Sequence, residues 1–455
     1  MMKKRSVDFL EGSLFRNVLV FTIPLILSGV LQLLFNAIDM VVVGKFSGST
    51  SMAAVSSTGS LINLITNLFI GLSIGSSVAI AKRIGKRDYD GVSKAVHTSI
   101  SIAFTAGLFL TVIGIVFCRV FLEMMNSPED VIDLSTTYLR FYFTGMLGTM
   151  VYNFSSAILR ARGDTKRPLI ALTIAGVLNA LLNLFFVIVL KIDVAGVGLA
   201  SSLSSYVSAI LVLLVLIKDE GPMQLDIRHL NVDVEAMKDI AIVGVPAGIQ
   251  STVFSLSNVA VQSSVNEFGR IVMAGNGAAA SIGDFVYNIM NSFSQSCLTF
   301  TSQNVGAGKY KRIGKILATC LCLVTIFGIV FGMGSYIFAD PLLHIYSDDP
   351  EVIAAGITRL GIFNRPYFLC GIMDVMVGSL RGMGSSLVPM IVSLLGACLF
   401  RLVWIATYFR VHHTIEVLYY SYPLSWTITG LVHMLTFIIV YRRLIRRQHG
   451  KKHND

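Results

Sequence analysis

The chain has 455 residues, 54% of them hydrophobic and only 14% charged, with a mean hydropathy of +0.73. Soluble domains run nearer ~45–50% apolar and about 25% charged, so a soluble globular enzyme is excluded. A disordered chain is excluded with it, because charge is sparse and apolar residues are abundant. The formal net charge of +10 fits either a nucleic-acid-binding face or the positive-inside bias of a membrane protein, and the positions of the basic residues decide between them.

Apolar stretches of about 20 residues, enough to cross ~30 Å of hydrocarbon, recur about twelve times. They are predicted at 17–43, 54–81, 95–121, 136–159, 168–190, 195–217, 239–265, 273–303, 316–339, 357–380, 387–409 and 416–441. The second and eighth are rich in Ser, Asn and Gly, so they are expected to face protein or water rather than lipid. The first is too long for a cleaved signal peptide, and no small-residue cleavage site follows it. Cysteines 118, 297, 320, 322, 370 and 398 all fall within apolar stretches. They read as small buried packing residues, because zinc spacing would need a second Cys/His pair in polar surroundings.

Twenty-seven of the 36 lysines and arginines fall at the termini and in alternate loops. The groups are Lys3, Lys4, Arg5 and Arg16; Lys82 to Lys94; Arg160 to Arg167; Lys218, Arg228 and Lys238; Lys309 to Lys315; Arg381; and Arg442 to Lys452. The opposite loops hold Lys45, Arg119, Lys191, Arg270 and Arg410, and four more arginines lie within spans. By the positive-inside rule both termini are cytoplasmic. The +10 is then a topology signal, and no nucleic acid is needed to explain it.

The polar stretch Lys218–Lys238 divides the chain into an N-terminal six-helix lobe (1–217), a cytoplasmic linker (218–238) with room for a short surface helix, a C-terminal lobe (239–441) and a basic tail (442–455). The lobes repeat one another. Arg160/Arg381, Gly163/Gly384 and Pro168/Pro389 share an offset of 221, as do Gly85/Gly306, Tyr89/Tyr310, Val131/Val352 and Ile132/Ile353; Pro24/Pro246 and Asn36/Asn258 pair at 222. Six spans per repeat give both halves the same orientation. The predicted fold is therefore an all-α integral membrane protein of about twelve helices, in two six-helix bundles related by a pseudo-twofold axis along the membrane normal. Such a duplication suits alternating access.

Ionisable residues inside spans are costly, and each is a functional candidate. Gln32, Asn36 and Asp39 form one polar stripe at i, i+4 and i+7. Pro24, fifteen residues earlier, interrupts the helical hydrogen bonding and is a candidate hinge. Asn179 and Asn183 share a face of the fifth span. Counted from the outer ends at 1.5 Å per residue, Asp39, Asn183 and Ser201 lie at roughly similar depth and can meet. Their second-half counterparts are apolar: Val261 for Asp39, Phe400 for Asn179 and Trp404 for Asn183. A carboxylate in such a cluster can exchange a proton, or bind Na⁺ with amide oxygens completing its shell; no other metal site is predicted. Asn153 and its repeat partner Asp374 join Gln32 as candidate cavity residues. Asp284, Arg140, Arg359, Arg365 and Arg401 read as paired structural charges, with Asp374–Arg401 or Asp374–Arg365 as candidate pairs.

Other chemistry is excluded by its own requirements. GAGKY (306–310) resembles the end of a Walker A loop, but Gln303 and Tyr310 stand where Gly and Ser/Thr are needed. No HExxH or GxSxG occurs, and His412-His413 alone does not supply the interfacial cluster of a lipid-modifying enzyme. The chain is thus expected to be neither an enzyme nor an ATP-driven pump and to use no cofactor, with transport energised by an ion gradient.

Four stretches then carry a resemblance: Pro24 with FNAIDMVVVG in the first span, AGVGLASS (195–202), SQNVGAGKYKRIG (302–314) and LRGMG (380–384). Together with the six-plus-six repeat they resemble the MATE (multidrug and toxic compound extrusion) family, most closely its DinF-like branch. The resemblance implies an inner-membrane antiporter that exports amphipathic, largely cationic compounds in exchange for H⁺ or Na⁺, with Asp39 as coupling carboxylate and Asn179 beside it. Asn183 stands where relatives often carry a second acid, and Ser201 where they carry Thr. The absent acid favours H⁺. The branch that uses Glu in the seventh span is not matched, since Phe254 is at about that place. A flippase for lipid-linked precursors is the alternative within the same superfamily, kept open by Arg365 and Arg401.

Overall fold

A computed structural model describes residues 7–125 and 127–451. Lys3, Lys4, Arg5 and Lys452 lie outside the described residues. Those described form helices and connecting turns, with no strand. The first half runs α1 (Leu14–Phe46), α2 (Ser49–Lys86), α3 (Tyr89–Met124), α4 (Glu129–Thr144), α5 (Met146–Ala161), α6 (Lys166–Leu184) and α7 (Asp193–Ile217). The second runs α8 (Val234–Asn266), α9 (Arg270–Gly306), α10 (Tyr310–Ile337), α11 (Ala339–His344), α12 (Pro350–Phe363), α13 (Tyr367–Gly382), α14 (Leu387–Ser393), α15 (Phe400–Ala406), α16 (Tyr408–Val411) and α17 (Ile415–Lys451).

Among the described residues nine helices are long and apolar enough to cross a bilayer, and the pair α12–α13, bent by 47°, makes a tenth. The other two expected spans differ for physical reasons. The fourth is α4 plus α5, two 16-residue helices broken at Gly145. The eighth is α9, 37 residues long but rich in Ser, Asn and Gly. The breaks at Gly145 and at Pro366 are 221 residues apart, so the repeat extends to the kinks. Wide π turns at Phe185–Val189 and Leu394–Leu399 interrupt the fifth and eleventh spans.

The chain packs into two compact units, one holding Val7 and Ile23–Gly248, the other Asp8–Thr22 and the residues from Ile249 on. Their limits depart from the expected lobes (1–217 and 239–441) at the first helix of each repeat. In the second unit the opening of α1 packs on α9. Phe9, Phe21 and Phe300 make an edge-on aromatic triad with centroids 4.4–5.8 Å apart, and the Thr22 and Ser296 hydroxyls lie 2.7 Å apart. In the first unit the opening of α8 packs on α2 at the equivalent place. Gly71 and Gly75 face Gly244 and Gly248 so closely that a Cβ on Gly75 would sit 2.1 Å from the Ile240 carbonyl oxygen. Each small-xxx-small pair lets two helix backbones touch. The changes of unit fall within two residues of Pro24 and Pro246.

The expected linker is packed rather than free. Met223 and Leu225 are buried with Ile80, Val92, Ile158 and Leu216, Arg162 pairs with Asp219, and one turn of 3₁₀ helix forms at Ile227–His229. Helix α8 begins at Val234, inside the stretch read as linker. Of the cysteines, five are buried as expected and Cys322 is exposed on α10, a departure from that reading.

Candidate functional site

Three helices of the first unit bring the expected polar residues together. α1 carries Asp39, α6 carries Asn179 and Asn183, and α7 carries Ser201. The approach of α1 to α6 depends on Gly176, where a Cβ would lie 1.7 Å from the Phe35 ring. That ring therefore packs against α6 one turn before Asp39. On the other side α7 is drawn close by its small residues. A Cβ on Gly198 would meet the Tyr138 carbonyl oxygen at 2.8 Å, and the Ser202 hydroxyl donates to the Phe141 carbonyl. The AGVGLASS stretch is thus a packing surface that delivers Ser201.

The Asn183 Nδ2 amide donates to Asp39 Oδ1 and to Asn179 Oδ1 at 3.2 Å. Ser201 Oγ donates to Asp39 Oδ2 at 3.5 Å, and Asn179 Nδ2 to Ser201 Oγ at 3.4 Å. Asn183 is fully buried and Asn179 nearly so, while Asp39 is partly exposed toward a cavity. The π turn starts two residues after Asn183, a distortion of the kind that collects at functional positions.

The cavity has a volume of about 510 Å³ and lies within the first unit. Gln32, Asn36 and Asn153 line it, but neither Gln32 nor Asn36 hydrogen-bonds Asp39 among the described residues. Asp39 is the one charged residue among the described residues lining it. Sequence reasoning missed Tyr138, Tyr142, Tyr152, Asn63 and the serines 204, 205 and 208 in the same lining. Ser201, Ser204, Ser205 and Ser208 follow helical i, i+3, i+4, i+7 spacing, a signal that marks one face of α7.

Asp374 does not join this lining; it belongs to the second unit, where Tyr287 hydrogen-bonds it and its Oδ2 has no partner among the described residues. The expected pairs Asp374–Arg401 and Asp374–Arg365 do not form. Arg401 is buried, donates to Ser425 Oγ at 3.0 Å and stacks over Tyr422, and Arg365 packs over Tyr336. The second unit's counterpart of the Asp39 cluster is apolar: Val261 is buried in a cluster with Val265, Phe409, Leu418 and Tyr419, against which Trp404 packs.

A twelve-helix bundle repeat holding a polar, single-carboxylate cavity inside one six-helix half has the form of a membrane transporter. The MatE family model matches residues 24–185 and again 246–407, two stretches 222 residues apart that begin at the paired prolines. The chain belongs to the MatE family, whose members are multi-pass transporters rather than enzymes. It is 28% identical over 391 residues to the probable multidrug resistance protein YoeA of Bacillus subtilis, covering 84% of each chain. Solved structures of MATE in the bent and in the straight conformation share its fold with a TM-score of 0.89 each at 20% identity. Both cover 98% of this chain, and 99% and 100% of theirs.

Proposed function

We propose that the protein is a secondary multidrug efflux antiporter of the plasma membrane, both termini cytoplasmic, exporting amphipathic, mostly cationic organic compounds in exchange for H⁺ by alternating access. The observation that carries this is the cavity chemistry: one carboxylate, no basic side chain among the described lining, and aromatic faces from Phe35, Tyr138, Tyr142 and Tyr152. Such walls attract a lipophilic cation by charge and by cation–π contact and suit an anionic lipid precursor poorly, which weighs against the flippase reading. The name of YoeA as a probable multidrug resistance protein supports export of this kind.

Asp39 then serves two competitors. Ionised, it accepts from Asn183 and Ser201 and can hold a cationic substrate. Protonated, it loses that charge and its reason to accept both donors, so α1 is free to repack about Pro24 and the substrate leaves. A ligand shifts such an equilibrium only through its differential affinity for the two packings, and the carboxylate supplies that difference. A Na⁺ reading is favoured by one detail: Asn183 Oδ1 is buried without a partner among the described residues, and Asn179 Oδ1 lies in the same cluster. These oxygens with Asp39 are hard-cation ligands.

The deciding experiment is ethidium efflux from proteoliposomes under an imposed pH gradient or an imposed Na⁺ gradient. Efflux driven by pH alone is expected, and Asp39→Asn should abolish it at undiminished expression. Efflux by Asp39→Asn equal to the parent would remove the coupling role. Failure to protect an efflux-deficient host against any lipophilic cation would remove the drug-export reading.

A further inference from the structure

A second concavity, of about 800 Å³, lies wholly within the second unit between α10, α12, α13 and α17. Its walls are apolar and aromatic, among them Met333, Tyr336, Phe368, Tyr420 and Leu424. Arg365 stands in it, at the break between α12 and α13. The residue is exposed, and its guanidinium lies 5.1 Å from the centre of the Tyr336 ring. Among the described residues it makes no ion pair and no hydrogen bond.

Depth follows from the basic residues at the other end of the same helices. From Lys315 to Tyr336 and from Arg442 back to Tyr420 is in each case ~32 Å of helix at 1.5 Å per residue, and from Arg381 back to Arg365 is ~24 Å. Tyr336 and Tyr420 therefore mark the far interface, and the Arg365 backbone lies roughly 8 Å inside it, its side chain reaching back toward Tyr336. The side chain thus carries its guanidinium to the level of the headgroups, beside Tyr336. The groove opens beside the exposed apolar side chains Ile329, Val330 and Ile337 of α10, a face suited to acyl chains.

The repeat supplies the control. Arg365 corresponds to Thr144 and Thr427 to Tyr206, both at offset 221. In the first unit the Tyr206 hydroxyl donates to the Thr144 carbonyl at 2.7 Å and so covers that break with the protein's own side chain. In the second unit a threonine replaces the tyrosine, an arginine replaces the threonine, and the space is open and basic.

We propose that this groove binds an acidic phospholipid, its phosphate held by Arg365 through charge-assisted hydrogen bonds and one acyl chain laid along Met333, Phe368 and Leu424. Assignment of the lipid to the outer leaflet rests on the orientation proposed above; the binding itself does not. The test uses the purified, delipidated full-length protein titrated with phosphatidylglycerol or phosphatidylcholine of the same chains, read by native mass spectrometry and by melting temperature. The parent should retain one phosphatidylglycerol and melt higher with it than with phosphatidylcholine. Arg365→Gln should bind phosphatidylglycerol about tenfold more weakly and lose the difference between the two lipids. Thr427→Tyr, which fills the groove as Tyr206 does in the first unit, should lose the lipid while keeping Asp39-dependent ethidium efflux. Equal retention by the parent and either variant, or no preference of the parent for phosphatidylglycerol, overturns the proposal. Neither lipid readout depends on drug transport, so failure of the antiport reading would leave this result standing on its own.

Discussion

Asp39 owes its geometry to a residue with no side chain. With Gly176 the Phe35 ring lies against α6, and the next turn of α1 delivers the carboxylate to Asn183. Gly176→Ala forces the ring or the helix away, an overpacking that costs about 1–3 kcal/mol. We expect a lower melting temperature and loss of efflux, with both restored when Phe35→Leu is added; a double variant as impaired as the single one would show that the Phe35 contact is not what sets the approach. The cluster around Asp39 was legible in the sequence because helical spacing and depth, counted from the span ends, place Asp39, Asn183 and Ser201 at one level. The tyrosines of α4 were not, because Tyr138 and Tyr142 keep the same i, i+4 spacing as ordinary core residues. The pairs imagined for Asp374 failed because spacing along a helix says nothing about which way a long arginine turns. Arg401 turned to Ser425 and Tyr422 instead.

At the level of helices, the repeat and the twelve helical stretches could be read from the chain, ten of them spans by length and apolarity, and the exchange of helix openings could not. Asp8–Thr22 packs with residues near 300, and the start of α8 with residues near 75. Such partnerships leave no periodicity behind. The glycines at 71, 75, 244 and 248 carry the i, i+4 spacing of a close helix crossing, yet each pair reads alone as a common feature of membrane helices. Their function is testable. Gly244→Leu places a side chain against the Leu72 backbone, where even a Cβ would come within 2.7 Å, and should reduce the folded yield and the melting temperature. Pro24→Ala acts in the opposite sense. It restores the backbone N–H that proline lacks, so Val20 regains a helical hydrogen bond and α1 stiffens. Melting temperature should hold or rise while efflux falls several-fold; unchanged efflux would show that bending at Pro24 is not part of the cycle.

On the scale of the whole molecule the sparse charge becomes a map. Among the described residues the helix ends at Arg83–Arg87, Arg160–Arg167, Lys309–Lys315 and Arg381 carry many of the lysines and arginines, while the far ends hold Lys45, Arg119, Lys191, Arg270 and Arg410. Several of these charges are also structural: Arg83 pairs with Asp239 at 2.8 Å, Arg162 with Asp219 and Arg167 with Asp164 at 3.3 Å, and Arg381 donates to Gln250 Oε1 at 2.9 Å. Lys86, Arg87, Lys166, Lys309, Lys311 and Lys315 are exposed, and the positive-inside bias acts on such charges during insertion. In the orientation proposed above, Arg228, exposed in the packed segment before α8, faces the cytoplasm, and Asp348, exposed between α11 and α12, faces outside. In a Cys322→Ser background, which removes the one exposed native thiol among the described residues, a membrane-impermeant maleimide should label Asp348→Cys in intact cells. Arg228→Cys should react only after the membrane is permeabilised. The reverse pattern would turn the molecule over in the membrane. The Asp39 cavity would keep its chemistry, and the Arg365 groove would face the inner leaflet, so this measurement fixes the side from which each is reached.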